Sequence, residues 1–206
     1  MPYGYLGQNA PNQTVSNSGV FDISSAADLT KQGKFGGSLE LIEEQTFSSS
    51  SAVEFTAIQE NKYDVHFMSF VITEMGANGK MRLSNNGGTT YITSGYQEAL
   101  QYGFTNGSNG DQRGTSKSYF LDVGAGGTGL NKNLYVYIYN AGNSSKYTFT
   151  THHSFGEHPS GILYSFGGNV HPTAETINAI KISPDTSTMT GTIKLYGVKQ
   201  LWVLWD

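Results

Sequence analysis

Apolar and polar side chains alternate every second residue through short stretches of this 206-residue chain, and Gly- and Asn-rich turns break the stretches apart. That rhythm belongs to pleated strands and leaves little room for the three-and-four spacing of a long helix. Leu134-Tyr135-Val136-Tyr137-Ile138-Tyr139 displays it most plainly. After Gly36-Gly37, Leu39, Leu41 and Glu43 alternate with Glu40, Ile42 and Glu44, and Val53, Phe55 and Ala57 with Glu54 and Thr56. Residues 63–73 predict a longer strand, with Val65, Phe67, Ser69 and Val71 opposite His66, Met68, Phe70 and Ile72; apolar character on both faces makes it central. Further strands are predicted at 117–123, 134–140, 146–154, 162–166, 176–183 and 190–199. The 26 Gly, 13 Tyr and 11 Phe are the vocabulary of strands and tight turns. Together these features predict an all-β fold, an antiparallel two-sheet sandwich of jelly-roll type; no fixed-period repeat points to a blade or solenoid array.

The organisation reads as one main domain. Residues 1–19, rich in Gly, Asn, Gln and Ser and without period, form an N-terminal attachment arm; 20–199 form the sandwich, and 200–206 an apolar docking tail. Within 20–34, Ser24 as N-cap and Gly33 as stop allow one or two helical turns. The clearest predicted hairpin is KMRLS-NNGG-TTYIT, where Asn85-Asn86-Gly87-Gly88 supplies the positive φ angles of a tight turn. Residues 95–114 read as a long polar loop.

Several chemistries are disfavoured. Cysteine is absent, so neither disulfides nor thiolates are available. With 14% charged residues and a net charge of −4 there is no basic field for nucleic acid. No stretch approaches the roughly eighteen apolar residues of a membrane helix, and Met1-Pro2-Tyr3-Gly4-Tyr5-Leu6 has no leader-like pattern, so membrane insertion is not expected. Gly124 to Gly129 fits G-x-G-x-x-G, but a strand follows where a dinucleotide site needs a helix N-terminus; a hairpin loop and no cofactor are expected.

Among the histidines, His152 and His153 leave a strand on opposite faces, and Glu157, His158 and His171 read as exposed loop residues without a zinc spacing, so no metal is expected. Glu40, Glu43, Glu44 and Glu54 offer no singled-out pair for acid–base work and read as the wet face of a sheet. No G-x-S-x-G elbow occurs, and the chain is not expected to be an enzyme.

The informative residues are aromatic. Tyr135, Tyr137 and Tyr139 form a row that can stack on sugar C–H faces, form a subunit interface, or line a second packed layer; all three readings stand. Both tryptophans fall in the tail, where Leu201, Trp202, Val203, Leu204 and Trp205 are expected to dock on the domain or a neighbour, since each large apolar side chain gains roughly 1.5–3 kcal/mol on burial.

YLGQNAPNQTVSNSGVFDIS, GGSLELIEEQTFSSSSAVEFTAIQENKYDVHF, YNAGNSSKYTF and INAIKI…TGTIKLYGVKQ resemble a family of small structural proteins of tailed phages, many marine, described as tail-fibre-like or virion proteins. GTIKLYGVK is also similar to the last strand of many phage fibre and carbohydrate-binding sandwiches. The resemblance implies a β-sandwich virion component, a homo-oligomer with a trimer favoured. The chain is therefore expected beside other virion proteins, in a tail fibre or decorating a capsid, with host-surface glycan contact through Tyr135, Tyr137 and Tyr139 or the Asn/Gly loops expected as a second role. The LWVLWD ending departs from the family's usual close. The alternative expectation is a free carbohydrate-binding, lectin-like module.

Overall fold

The computed structural model describes residues 38–75, 78–122 and 131–199. The arm 1–19, the helical signal at 20–34, the loop Gly124 to Gly129 and the tail 200–206 lie outside the described residues. Leu39–Val198 forms one compact unit, all β, with no helix among the described residues.

Among the described residues twelve strands run in chain order: β1 (Leu39–Ser50), β2 (Val53–Phe55), β3 (Val65–Met75), β4 (Gly79–Ser84), β5 (Tyr96–Phe104) and β6 (Asn109–Lys117), then β7 (Leu121–Asp122), β8 (Lys132–Tyr139), β9 (Thr148–His158), β10 (Gly161–His171), β11 (Ala179–Pro184) and β12 (Met189–Val198). They make two antiparallel sheets, an eight-stranded one ordered β1-β12-β3-β8-β9-β10-β5-β6 and a four-stranded one ordered β2-β11-β4-β7.

The pairing is nested: β1 with β12, β2 with β11, β3 with β8, β4 with β7. The first half of the chain thus meets the second half in reverse order, as in a long hairpin rolled up on itself, which is the jelly roll expected from the sequence. Two hairpins are inserted into this frame. β5–β6 falls between β4 and β7, β9–β10 between β8 and β11, and both extend the large sheet beyond β8.

One core joins the two sheets. Met68, Phe70 and Ile72 of β3, Leu134, Val136 and Ile138 of β8, and Ile193 and Leu195 of β12 pack with Val53, Phe55, Met81, Leu83, Ile180 and Ile182 of the small sheet. Every second residue of β3 and β8 is therefore buried, as their rhythm requires. β3 lies between β12 and β8 and is central, as predicted.

Three expectations are corrected. Residues 95–114 are not a loop: they form most of the β5–β6 hairpin, closed by Gly107 at φ 90° and the Gly107 N–H to Phe104 C=O bond of 3.0 Å. The polar side chains suggested a loop because β6 is an edge strand whose faces need no apolar set. The NNGG turn has its positive φ angles, 70° at Gly87 and 85° at Gly88, but no strand follows it. β11 takes one side of β4 and β7 takes only Lys80 and Met81 on the other; beyond them the returning segment makes the single Ile92 N–H to Leu83 C=O bond of 2.9 Å and no ladder. Its turn is instead held by side chains, with the Asn86 and Gly88 N–H groups donating to Ser84 Oγ and the Thr90 N–H to Asn86 Oδ1. In β1 the alternation shifts by one at a bulge between Leu41 and Glu43, which leaves Leu39 and Leu41 exposed while Ile42 packs on the core.

Candidate functional site

The large sheet has an inner face toward the core and an outer face, and the outer face is the unusual one. All nine exposed large hydrophobic residues among those described lie on it or at its margin: Leu39, Leu41, Val71, Tyr135, Tyr147, Phe149, Phe155, Tyr164 and Phe166. Scattered singly they would need no explanation, but a contiguous apolar face marks an interaction surface.

Register makes it contiguous. Leu41, Tyr196, Phe67 and Tyr137 stand opposite one another across β1, β12, β3 and β8. A second row runs through Ser69, Tyr135, His153, Phe166, Gln101 and Asp111 across β3, β8, β9, β10, β5 and β6. Phe67 touches Tyr196, Tyr137 and Tyr135 at ring-centroid distances of 5.9, 5.0 and 6.2 Å. Tyr135 meets His153 edge-on at 5.8 Å, and His153 meets Phe166 at 6.3 Å. An unbroken chain of rings thus crosses five strands, from β12 to β10.

The inserted strands invert the usual polarity. On β9, Phe149, Thr151, His153 and Phe155 point outward while Thr148, Thr150, His152 and Ser154 are buried. On β10, Tyr164 and Phe166 point outward while Ser165 and Asn169 are buried. A sheet that faced only solvent would place its polar residues outside.

Tyr135, Tyr137 and Tyr139 are brought together as expected, with Tyr135 43% exposed and Leu134, Val136 and Ile138 beneath them. Tyr139 Oη lies 3.2 Å from Thr151 Oγ1, and Tyr135 Oη 3.4 Å from His153 Nδ1. Among the described residues no second layer lies over the row, since the small sheet packs on the opposite face. The tail residues Leu201, Trp202, Val203, Leu204 and Trp205 lie outside the described residues.

The histidines behave differently from the expectation for two of them. His158 and His171 end β9 and β10 and are not loop residues; His171 is buried, with Nε2 2.6 Å from Glu175 Oε1. His152 and His153 do leave on opposite faces. His152 is buried with neither ring nitrogen hydrogen-bonded, and this desolvation, with His153 adjacent, pushes its pKa down to about 4. His66 is likewise lowered by burial, against a 2.8 Å bond between its Nε2 and the Ile58 carbonyl. No group of three or more His, Cys, Asp or Glu converges on a metal position among the described residues. The four acids are exposed or half-buried and each has a partner: Glu40 bonds Lys62 at 2.8 Å, Glu54 Lys181 at 2.9 Å, Glu44 Lys194 at 3.2 Å, and Glu43 Gln45 at 2.7 Å.

Sequence reasoning missed Phe67, His153, Phe155, Tyr164 and Phe166 as surface residues. The signal was present in FTTHHSF, where Phe149, Thr151, His153 and Phe155 alternate with Thr150, His152 and Ser154. Deciding which set faces out requires knowing that β9 lies beyond the reach of the core.

No protein-family model matches the chain, and no curated protein matches it in sequence.

Proposed function

We propose that the protein is a structural component of a tailed-phage particle, a jelly roll that works by assembly through the outer aromatic face of its large sheet, with host-surface glycan contact as a second role. The observation that carries the reading is the polarity inversion of β9 and β10: aromatic rings face outward over buried Thr, Ser, His and Asn side chains. Aromatic side chains bury about 150–250 Å² each and dominate interface energetics, while their hydroxyl-bearing members tolerate water before assembly. The quoted sequence strings, which resemble phage virion proteins, favour a particle over other assemblies. Arm 1–19 and tail 200–206 are read as the attachment segments, and a trimer is the favoured homo-oligomer. Whether tail fibre or capsid, the partners are other virion proteins, and the work is non-catalytic.

The test is location and copy number. In particles purified from infected cells the chain is expected at a fixed stoichiometry, with cross-links from outer-face residues to a second copy or a virion neighbour. Recovery only in the unassembled lysate fraction contradicts the reading. The alternative, a free carbohydrate-binding module, is favoured by one observation, the mixed aromatic and polar row at the β6 end of the same face.

A further inference from the structure

We propose that the outer face over β10, β5 and β6 is a binding site for a pyranose ring of a neutral glycan. Phe166, Gln101 and Asp111 stand directly opposite one another on these three neighbouring strands, all outward and exposed. At the usual strand spacing the row from ring to carboxylate measures about 10 Å, enough to underlie a sugar ring and its exocyclic groups. With Ala99 and Arg113 they line a trough of about 420 Å³, within the range of small-ligand sites.

Each component has a chemical counterpart on a sugar. Phe166 and Tyr164 are nearly parallel, 8° apart in plane with centroids 6.4 Å apart, and offer ring faces to the C–H side of a pyranose. Tyr164 lies across Gly103, where a Cβ would stand 2.5 Å from its hydroxyl; the glycine lets the ring lie down on the strand. Gly168 and Ala99, opposite each other in the next row, keep the floor low beside Phe166. At the rim, Arg113 Nε and Nη2 both lie 2.6 Å from Asp111 Oδ2. That pairing fixes both side chains and leaves the other carboxylate oxygen and the remaining guanidinium N–H groups for vicinal hydroxyls, which donate and accept at once. Because the pair cancels its own charge, it suits an uncharged sugar better than a phosphate or an acidic one. The polar rim on β6 distinguishes this end of the face from the tyrosine block, where ring meets ring.

The inference rests on the glycan part of the proposed function and not on its assembly part. Saturation-transfer NMR on the full chain with cellohexaose, laminarihexaose and chitohexaose tests it. At least one is expected to bind, with saturation concentrated on the C–H protons of one ring face. Phe166→Ala and Asp111→Ala are expected to weaken that binding at least about tenfold, with Gln101→Ala as a third probe and Tyr135→Ala without effect. Unchanged thermal melts establish that the variants fold. Sugar binding that persists undiminished in Phe166→Ala and Asp111→Ala overturns the groove while leaving glycan contact elsewhere on the chain. No binding of any of the three at millimolar concentration overturns both. Loss of self-association in place of sugar binding in Phe166→Ala assigns the row to contacts between copies and also overturns the proposal.

Discussion

The rings of Phe67 on β3 and Tyr137 on β8 stand 5.0 Å apart, tilted by 51°, on the face of the large sheet that points away from the core. In the adjacent pair of this antiparallel ladder, Met68 and Val136 face the opposite side and are fully buried. Adjacent positions on one strand thus serve two different surfaces. The inner one holds the fold together, and the outer one carries the rings proposed for assembly.

Substitutions on the two faces should therefore separate cleanly. Phe70→Ala, in the core, is expected to cost about 3–5 kcal/mol because transfer and cavity terms add. Tyr137→Ala, on the outer face, is expected to cost about 1 kcal/mol or less in the isolated subunit. Urea titrations at low protein concentration check the pair, and equal losses would place Tyr137 in the core and contradict the account.

Stability should fall on mild acidification. The native His152 holds its pKa near 4, below its unfolded value of 6.5, so between these pH values the unfolded chain binds a proton that the native state refuses. Stability is fully present above about pH 7 and declines as pH falls from about 6.5 to 4, by roughly 3 kcal/mol from this residue. His66, lowered by burial, adds to the decline. Urea midpoints at pH 7.5 and 4.5 measure it, and His152→Leu should shrink the difference; an identical pH dependence in the variant would rule His152 out as the cause.

Tyr96 should matter through its hydroxyl as well as its ring. It accepts the Leu83 N–H at 3.1 Å and donates to the Ile92 carbonyl at 3.1 Å, bridging β4 to the segment after the NNGG turn. Burial raises its pKa and keeps it protonated and able to donate. Tyr96→Phe leaves a buried N–H without that partner and is expected to cost about 1–3 kcal/mol. Thermal melts at neutral pH would show it, and an unchanged midpoint would mean that the bridge contributes nothing.

Gly142, within the quoted string YNAGNSSKYTF, sits where a Cβ would overlap the backbone carbonyl of Glu60. Because the obstacle is backbone, Gly142→Ala is expected to cost about 2 kcal/mol or more. Loss of less than about 0.5 kcal/mol, the usual range for surface changes, would show that the two loops are not held together.

The fold was legible because two-residue alternation in β3, β8 and β12 coincides with burial by a facing sheet. Tyr135, Tyr137 and Tyr139 were legible for the same reason: Leu134, Val136 and Ile138 had to face in. The rest depends on strand order. Nothing in YQEALQYGF or NGDQRGTSK says that they extend a sheet already closed around its core, so the first and most of the second fell within a predicted loop. Phe166 gains its neighbours Gln101 and Asp111 only when residues sixty-five and fifty-five positions earlier in the chain arrive beside it. Leu41 and Glu43 show the opposite limit, where a single bulge changes which residues face out.

The central claim is that the outer aromatic face is an assembly surface. Sedimentation velocity across a hundredfold range of concentration tests it on the wild-type chain and on Phe67→Ser/Tyr135→Ser/Tyr137→Ser. The account predicts a stable oligomer, a trimer in the favoured case, that the triple variant converts to monomer with its melting temperature nearly unchanged. A wild-type chain that stays monomeric throughout, or a triple variant that keeps the oligomer intact, would contradict it.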